Sequence, residues 1–257
     1  MKTRRHWAWA WAGAGLGALA ALLAFAPASW LAAELASASG QHLLLSDARG
    51  SVWNGSAVLV LTGGPGSRDA AALPGRLHWT LGWQGLGLRL KARQDCCING
   101  ELELQLKPGW HTLDVHMADK PDWQARWPAA WLSGLGTPWN TLQLDGALLL
   151  QTRELSLHGA AQGWRQEGEL SLDLLGLSSR ISTLAPLGNY RFSLRAGTLQ
   201  LSTQEGALQL QGQGLVGPQG ASFRGEASAA PGREAALDNL LNIIGQRQGA
   251  RSIISIG

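Results

Sequence analysis

A glycine followed by leucine two and four positions later recurs five times, and this pattern restricts most of the chain to β-structure. The copies begin at Gly100, Gly146, Gly168, Gly197 and Gly206, and the leucine pairs run from Leu102 and Leu104 to Leu208 and Leu210. Successive side chains on a strand point to opposite faces, so this spacing makes one dry face and one wet face. The glycine ahead of each pair permits the positive φ of a turn. The same alternation runs through Ser51–Leu61, Leu77–Trp83, Leu86–Leu90, Leu142–Leu150, Leu155–Leu157 and Tyr190–Leu194. The intervals between copies are irregular, which describes a hairpin meander and not a fixed-period solenoid.

Two stretches have helical spacing instead. Pro121–Leu135 carries Trp123, Trp127 and Trp131 at every fourth position, with Pro128 forcing a bend between two short turns. Arg233–Gln248 places Leu237, Leu240, Leu241 and Ile244 on one stripe, and Gly245 and Gly249 stop it. Ile253–Ile256 reads as a closing strand. Helices are too few to connect parallel strands, so the sheet is antiparallel. The expected fold is mainly β: a curved antiparallel sheet, either an open half-barrel or a sandwich, with a few short helices.

The amino-terminal segment is different in kind. After Lys2, Arg4 and Arg5, no charged side chain occurs from Trp7 to Ala33, and the first acid is Glu34. About 20 apolar residues suffice for a helix to cross the hydrocarbon layer. Basic residues before the run predict a cytoplasmic amino terminus. Trp7, Trp9 and Trp11 at one end and Trp30 at the other match interface aromatics. Ala24-Phe25-Ala26 has the small-x-small shape of a cleavage site, but Pro27 follows it and the run exceeds an ordinary signal core. The reading is an uncleaved single transmembrane helix: residues 1–6 as a cytoplasmic tail, 7–33 as the anchor, 34–257 as a β-rich periplasmic domain. Gly13 and Gly17 form a small-xxx-small pair through which the anchor can pair with a second copy or another anchor.

The charge balance excludes a nucleic-acid partner. The chain has 21 Lys and Arg against 18 Asp and Glu, and the excess consists of the three bases before the anchor. The exported part is formally neutral and poor in charge, a surface suited to packing against a protein or lipid. No catalytic, cofactor or metal constellation is present. His6, His42, His78, His111, His116 and His158 are scattered, and five-residue spacing puts His111 and His116 on opposite faces of a strand. Gly212–Gly217 matches a dinucleotide fingerprint by letter, but Pro218 follows where a helix would have to open. Cys96 and Cys97 are adjacent. They could form a vicinal disulfide, strained because neighbouring Cα atoms lie only about 3.8 Å apart, or stay reduced beside a strand.

Several segments together resemble the type II secretion system protein N family. They are the short tail and anchor, Ala28–Leu31, Gly50-Ser51-Val52-Trp53-Asn54-Gly55, Leu184–Tyr190, Phe223–Ala227 and, most specific, Leu240–Arg247. The resemblance implies a bitopic inner-membrane accessory component of the machine that exports folded proteins from the periplasm across the outer membrane, and no enzyme. Its implied partners are other inner-membrane secretion proteins, the bitopic periplasmic connector first. A lipid-binding alternative also stands: leucine on one face of a long meander could line a trough for an acyl chain.

Overall fold

The structure, a computed structural model, describes residues 3–160, 163–217 and 220–256. Two helices come first, α1 (Thr3–Ala24) and α2 (Ala28–Ala38). The strands that follow are β1 (Leu43–Gly50), β2 (Asn54–Thr62), β3 (Ala70–Ala72), β4 (Leu77–Gln84), β5 (Gly87–Arg93), β6 (Leu102–Pro108), β7 (Leu113–Met117) and β8 (Ala125–Pro128). A 3-10 turn (Ala129–Leu135) and α3 (Trp139–Leu142) lead to the two longest strands, β9 (Leu144–Ala160) and β10 (Gly163–Ser179). Then come β11 (Gly188–Arg195), β12 (Thr198–Gly206), β13 (Leu208–Gly217), β14 (Gly220–Ala229), α4 (Glu234–Ile244), β15 (Gln246–Gln248) and β16 (Arg251–Ile256).

All sixteen strands join one antiparallel sheet whose order follows the chain closely, from β1 at one edge to β15 at the other. Only β3 and β8 leave that path, pairing with β2 and β9. The sheet is thus one continuous meander and not two separate sheets. The five repeat glycines all have positive φ. Gly197 sits in the hairpin between β11 and β12, whereas Gly146 and Gly168 bend the long strands from within, Gly168 at a register shift in β10.

Two clusters form the core. The larger one gathers Leu148, Leu174, Leu201, Leu208, Phe223 and Tyr190 beneath Leu237, Leu240 and Leu241 of α4. The i, i+3, i+4 spacing of those helix leucines makes one apolar stripe, and the sheet receives it. The smaller cluster joins Ala28 of α2 to Leu45, Ala57 and Trp79, with Leu31 and Leu35 against it.

Three sequence expectations change. The uncharged run 7–33 is not a single helix: α1 ends at Ala24, Pro27 is extended, and α2 packs on the sheet across residue 33. Proline has no N–H to continue a helix and biases the residue before it away from helical backbone. The side chains of residues 3–10 and 12, including Trp7 and Trp9, lie outside the described set. Among the described residues no helix is long and apolar enough to cross a membrane. The helix expected over Pro121–Leu135 is half strand, because β8 pairs with β9 from Ala125 to Pro128 and helical turns begin only after Pro128. Leu142–Leu150 and Leu155–Leu157 are parts of one strand, β9. The fourfold tryptophan spacing misled because the Trp127 and Trp131 rings meet, 5.8 Å between centroids, across the strand-to-turn junction.

Leu237 is fully buried. Leu237→Ala should lower unfolding free energy by about 2–5 kcal/mol, the usual range for such a cavity, as read by denaturant unfolding followed by tryptophan fluorescence.

Candidate functional site at the joint of helices and sheet

The described residues contain no group of three metal-ligating side chains, and their charged groups pair for structure. Asp173, nearly buried, receives the Arg191 guanidinium through two hydrogen bonds at 2.5 and 2.8 Å across β10 and β11. Lys91 contacts Glu101 and Glu103. His158 lies 3.0 Å from Asp114 and 3.6 Å from Glu167, and chiefly its hydrogen bond to Asp114 holds its pKa above the ordinary histidine value. His111 has positive φ in the turn after β6 and so does not share a strand with His116 in β7. Gly212–Gly217 lies in β13, where the missing side chains of Gly212 and Gly214 make room for Phe223 of β14.

The most constructed feature is the turn Gly50–Gly55, which clasps the break between α1 and α2. The last carbonyls of a helix have no partner within it. Here Trp53 Nε1 donates to Leu23 O at 2.8 Å and Val52 N donates to Ala26 O at 2.9 Å. Ser51 forms a backbone bridge with Pro27. The turn is tied in turn to β4, since Trp79 Nε1 donates to Val52 O at 3.1 Å and Leu81 N to Trp53 O at 2.7 Å. A side chain on Gly55 would lie 2.4 Å from the Trp79 ring and 2.8 Å from the Arg49 and Ser51 carbonyls. Glycine is therefore required there by close approach. The arrangement fixes where α1 leaves the sheet and does no covalent chemistry.

Two other segments singled out in the sequence are also joints. Leu187 N donates to Leu177 O, and Leu187 O receives Ala207 N and Leu208 N, while Tyr190 Oη donates to Leu208 O at 3.0 Å. Burial of Tyr190 pushes its phenol pKa well above the ordinary value. At the carboxyl end, Ser252 Oγ donates to Leu241 O at 2.6 Å, and Gly245 passes too close to Ile253 O to carry a side chain.

The leucine faces close on one another under α4. A hollow of about 500 Å³ lies elsewhere, lined by Gln200, Leu201, Gln211, Arg224, Glu226 and Ile253 among others. Its lining mixes polar and apolar groups and gives the lipid-trough alternative no specific support. Cys96 and Cys97 are joined to each other in the turn between β5 and β6, with Cys97 buried. Gly13 and Gly17 lie on α1 with open space around both. The sequence named the Gly50–Gly55 segment but not its contact with Leu23 and Ala26, which depends on Pro27 turning the chain back.

A family model described as type II secretion system (T2SS), protein N matches residues 41–254. No curated protein and no solved structure matches the chain.

Gly55→Ala should destabilise the fold by about 1–3 kcal/mol, the cost of overpacking against backbone, and thermal unfolding measures it. The His158 contact should show a pH signature. A raised folded pKa gives stability that is fully present below the unfolded value of about 6.5 and is lost as pH rises through the folded value. The difference in melting temperature between wild type and His158→Gln should therefore be largest in mild acid and vanish in mild alkali.

Proposed function

This chain belongs to the type II secretion system protein N family, and from that premise we propose that it is an inner-membrane accessory component whose sheet stands on the periplasmic side. The observation that carries the reading is the contrast between the two amino-terminal helices. α2 is spent on the sheet, whereas Leu16, Leu19, Leu22, Leu23 and Phe25 of α1 and its exit are exposed. Between Trp7 and Ala33 the sequence has no charge, so α1 has no polar face to offer water. A helix apolar all round belongs in lipid or among other helices. Its uncharged part, Trp7–Ala24, is 18 residues long and reaches about 27 Å at 1.5 Å per residue. Lys2, Arg4 and Arg5 then hold the amino terminus in the cytoplasm. Gly13 and Gly17 give α1 a surface for close pairing with a second copy or a neighbouring anchor.

Contacts with the secretion machinery run through the sheet. Its β1 edge is protected by a bulge carrying Asp47 and Arg49, bridged by Arg76. At the opposite edge β15 pairs with β16 only up to Ile253, so the backbone from Ile254 onward keeps one side for an added strand. The bitopic connector protein is the partner expected there. Cys96 and Cys97 are oxidised to each other in this compartment.

Three measurements test the reading. The full chain should stay with membranes through carbonate washing, and its release would overturn the anchor. A photo-cross-linker in place of Ile254 should capture another inner-membrane secretion component in cells, and no capture would overturn the edge as the contact. The intact mass without reductant should be lighter by two hydrogen atoms than after reduction.

A further inference from the structure

The strand ends are chemically unequal. Hairpin tips at the end where α1 leaves the sheet include residues 51–54, 82–89, 106–113 and 159–166, and 195–198 and 217–220 lie at the same end; of these, 161, 162, 218 and 219 lie outside the description. The first four of these segments hold Trp53, Trp83, Leu86, Trp110 and Trp164, together with Arg89, Lys107 and Arg165, and the nearest acids are Asp114, opposite Lys107, and Glu167. The connections at the far end are mixed in sign, with Asp69, Asp95, Asp119 and Asp122 beside Arg68, Arg76, Lys120, Arg180 and Arg233. Exposure follows the same division: Leu86 is 99% exposed, Trp110 92%, Trp83 74% and Trp164 55%. No ion pair forms at Arg89, Lys107 or Arg165 among the described residues.

The β4–β5, β6–β7 and β9–β10 tips form a level rim. Leu88 pairs with Leu106, Pro108 with Leu113, Leu113 with Gly159 and Gly159 with Trp164, so successive tips end in register. The rim is continuous with the exit of α1, because Trp53 bonds Leu23 O and stacks on Trp83 at 6.4 Å between centroids. From the pairing of Asn54 with Thr80, the β4–β5 hairpin runs four residues further to Gln84. At 3.3 Å per residue it projects about 13 Å beyond the clasp.

We propose that this rim is a membrane-docking surface that rests on the acidic phospholipid leaflet beside α1, with Trp83, Leu86, Trp110 and Trp164 at headgroup depth. The proposal rests on the reading of α1 as a membrane helix. Tryptophan and exposed leucine prefer the interface between water and hydrocarbon, where one side of the ring is dry and the N–H stays wet. Lysine and arginine beside them are attracted to anionic headgroups, and the nearest acids, Asp114 and Glu167, both contact His158. Docking at several tips would hold the strands at a fixed angle to the bilayer, which α1 alone, joined through one turn, does not do.

The test uses the full chain in vesicles of phosphatidylethanolamine and phosphatidylglycerol, with benzoylphenylalanine introduced in place of Leu86, Trp110 or, at the far end, the exposed Arg68. Illumination should give phospholipid adducts at 86 and 110 and none at 68, read by mass spectrometry. Replacing Arg89, Lys107 and Arg165 with glutamine should lower the adduct yield at least about fivefold, the effect of a single cation–headgroup contact. Equal yields at all three positions, or adducts to protein in place of lipid, would overturn the docking surface while the chain stays in the carbonate-washed membrane. Release of the chain by carbonate would overturn the anchor reading, and this proposal with it.

Discussion

Every strand in this protein depends on its neighbours for its backbone hydrogen bonds. Backbone N–H and C=O groups that lose water must find partners, and an antiparallel meander supplies them from the next hairpin along the chain. Because the order β1 to β14 follows the sequence almost without exception, most of that pairing is local. The cost is two edges, and the chain treats them differently: a charged bulge at β1, a three-residue cover at β16.

The sheet's apolar face is closed by α2 and α4, each with a small stripe, and by Ala129 and Leu142 of the 3-10 turn and α3. α4 seals the larger cluster through Leu237, Leu240 and Leu241, and α2 seals the smaller through Ala28 and Leu35. The segments that recur in the family resemblance sit where such closures are made. Gly50–Gly55 holds the α1–α2 break, Leu184–Tyr190 ties β10 to β13, and Leu240–Arg247 returns α4 to the sheet. They are joints between helices, hairpins and sheet.

How far the sequence was legible differs from element to element. Leucine alternation found β4, β5, β6, β9, β10, β11, β12 and β13, and the stripe in α4 was read correctly, although the helix expected through Gln248 ends at Ile244 and gives way to β15. It missed β14, whose run of Gly, Ala and Ser has few large side chains, with Phe223 the main apolar one. It also missed β8, where tryptophans at every fourth position imitate a helix but β9 captures the backbone. Pairing with a distant strand outweighs local spacing there.

Period-two leucine settled that the chain is a β-sheet and which side chains share a face, because that period is a property of the extended backbone itself. The uncharged run settled that the first helix has no polar face. Only the tertiary structure decided that α2 belongs to the sheet, that the far-apart tips of β4, β6 and β9 end level, and that their tryptophans gather on the side where α1 leaves. Strand direction and register arise from pairings between residues far apart in the chain, and no local pattern encodes them.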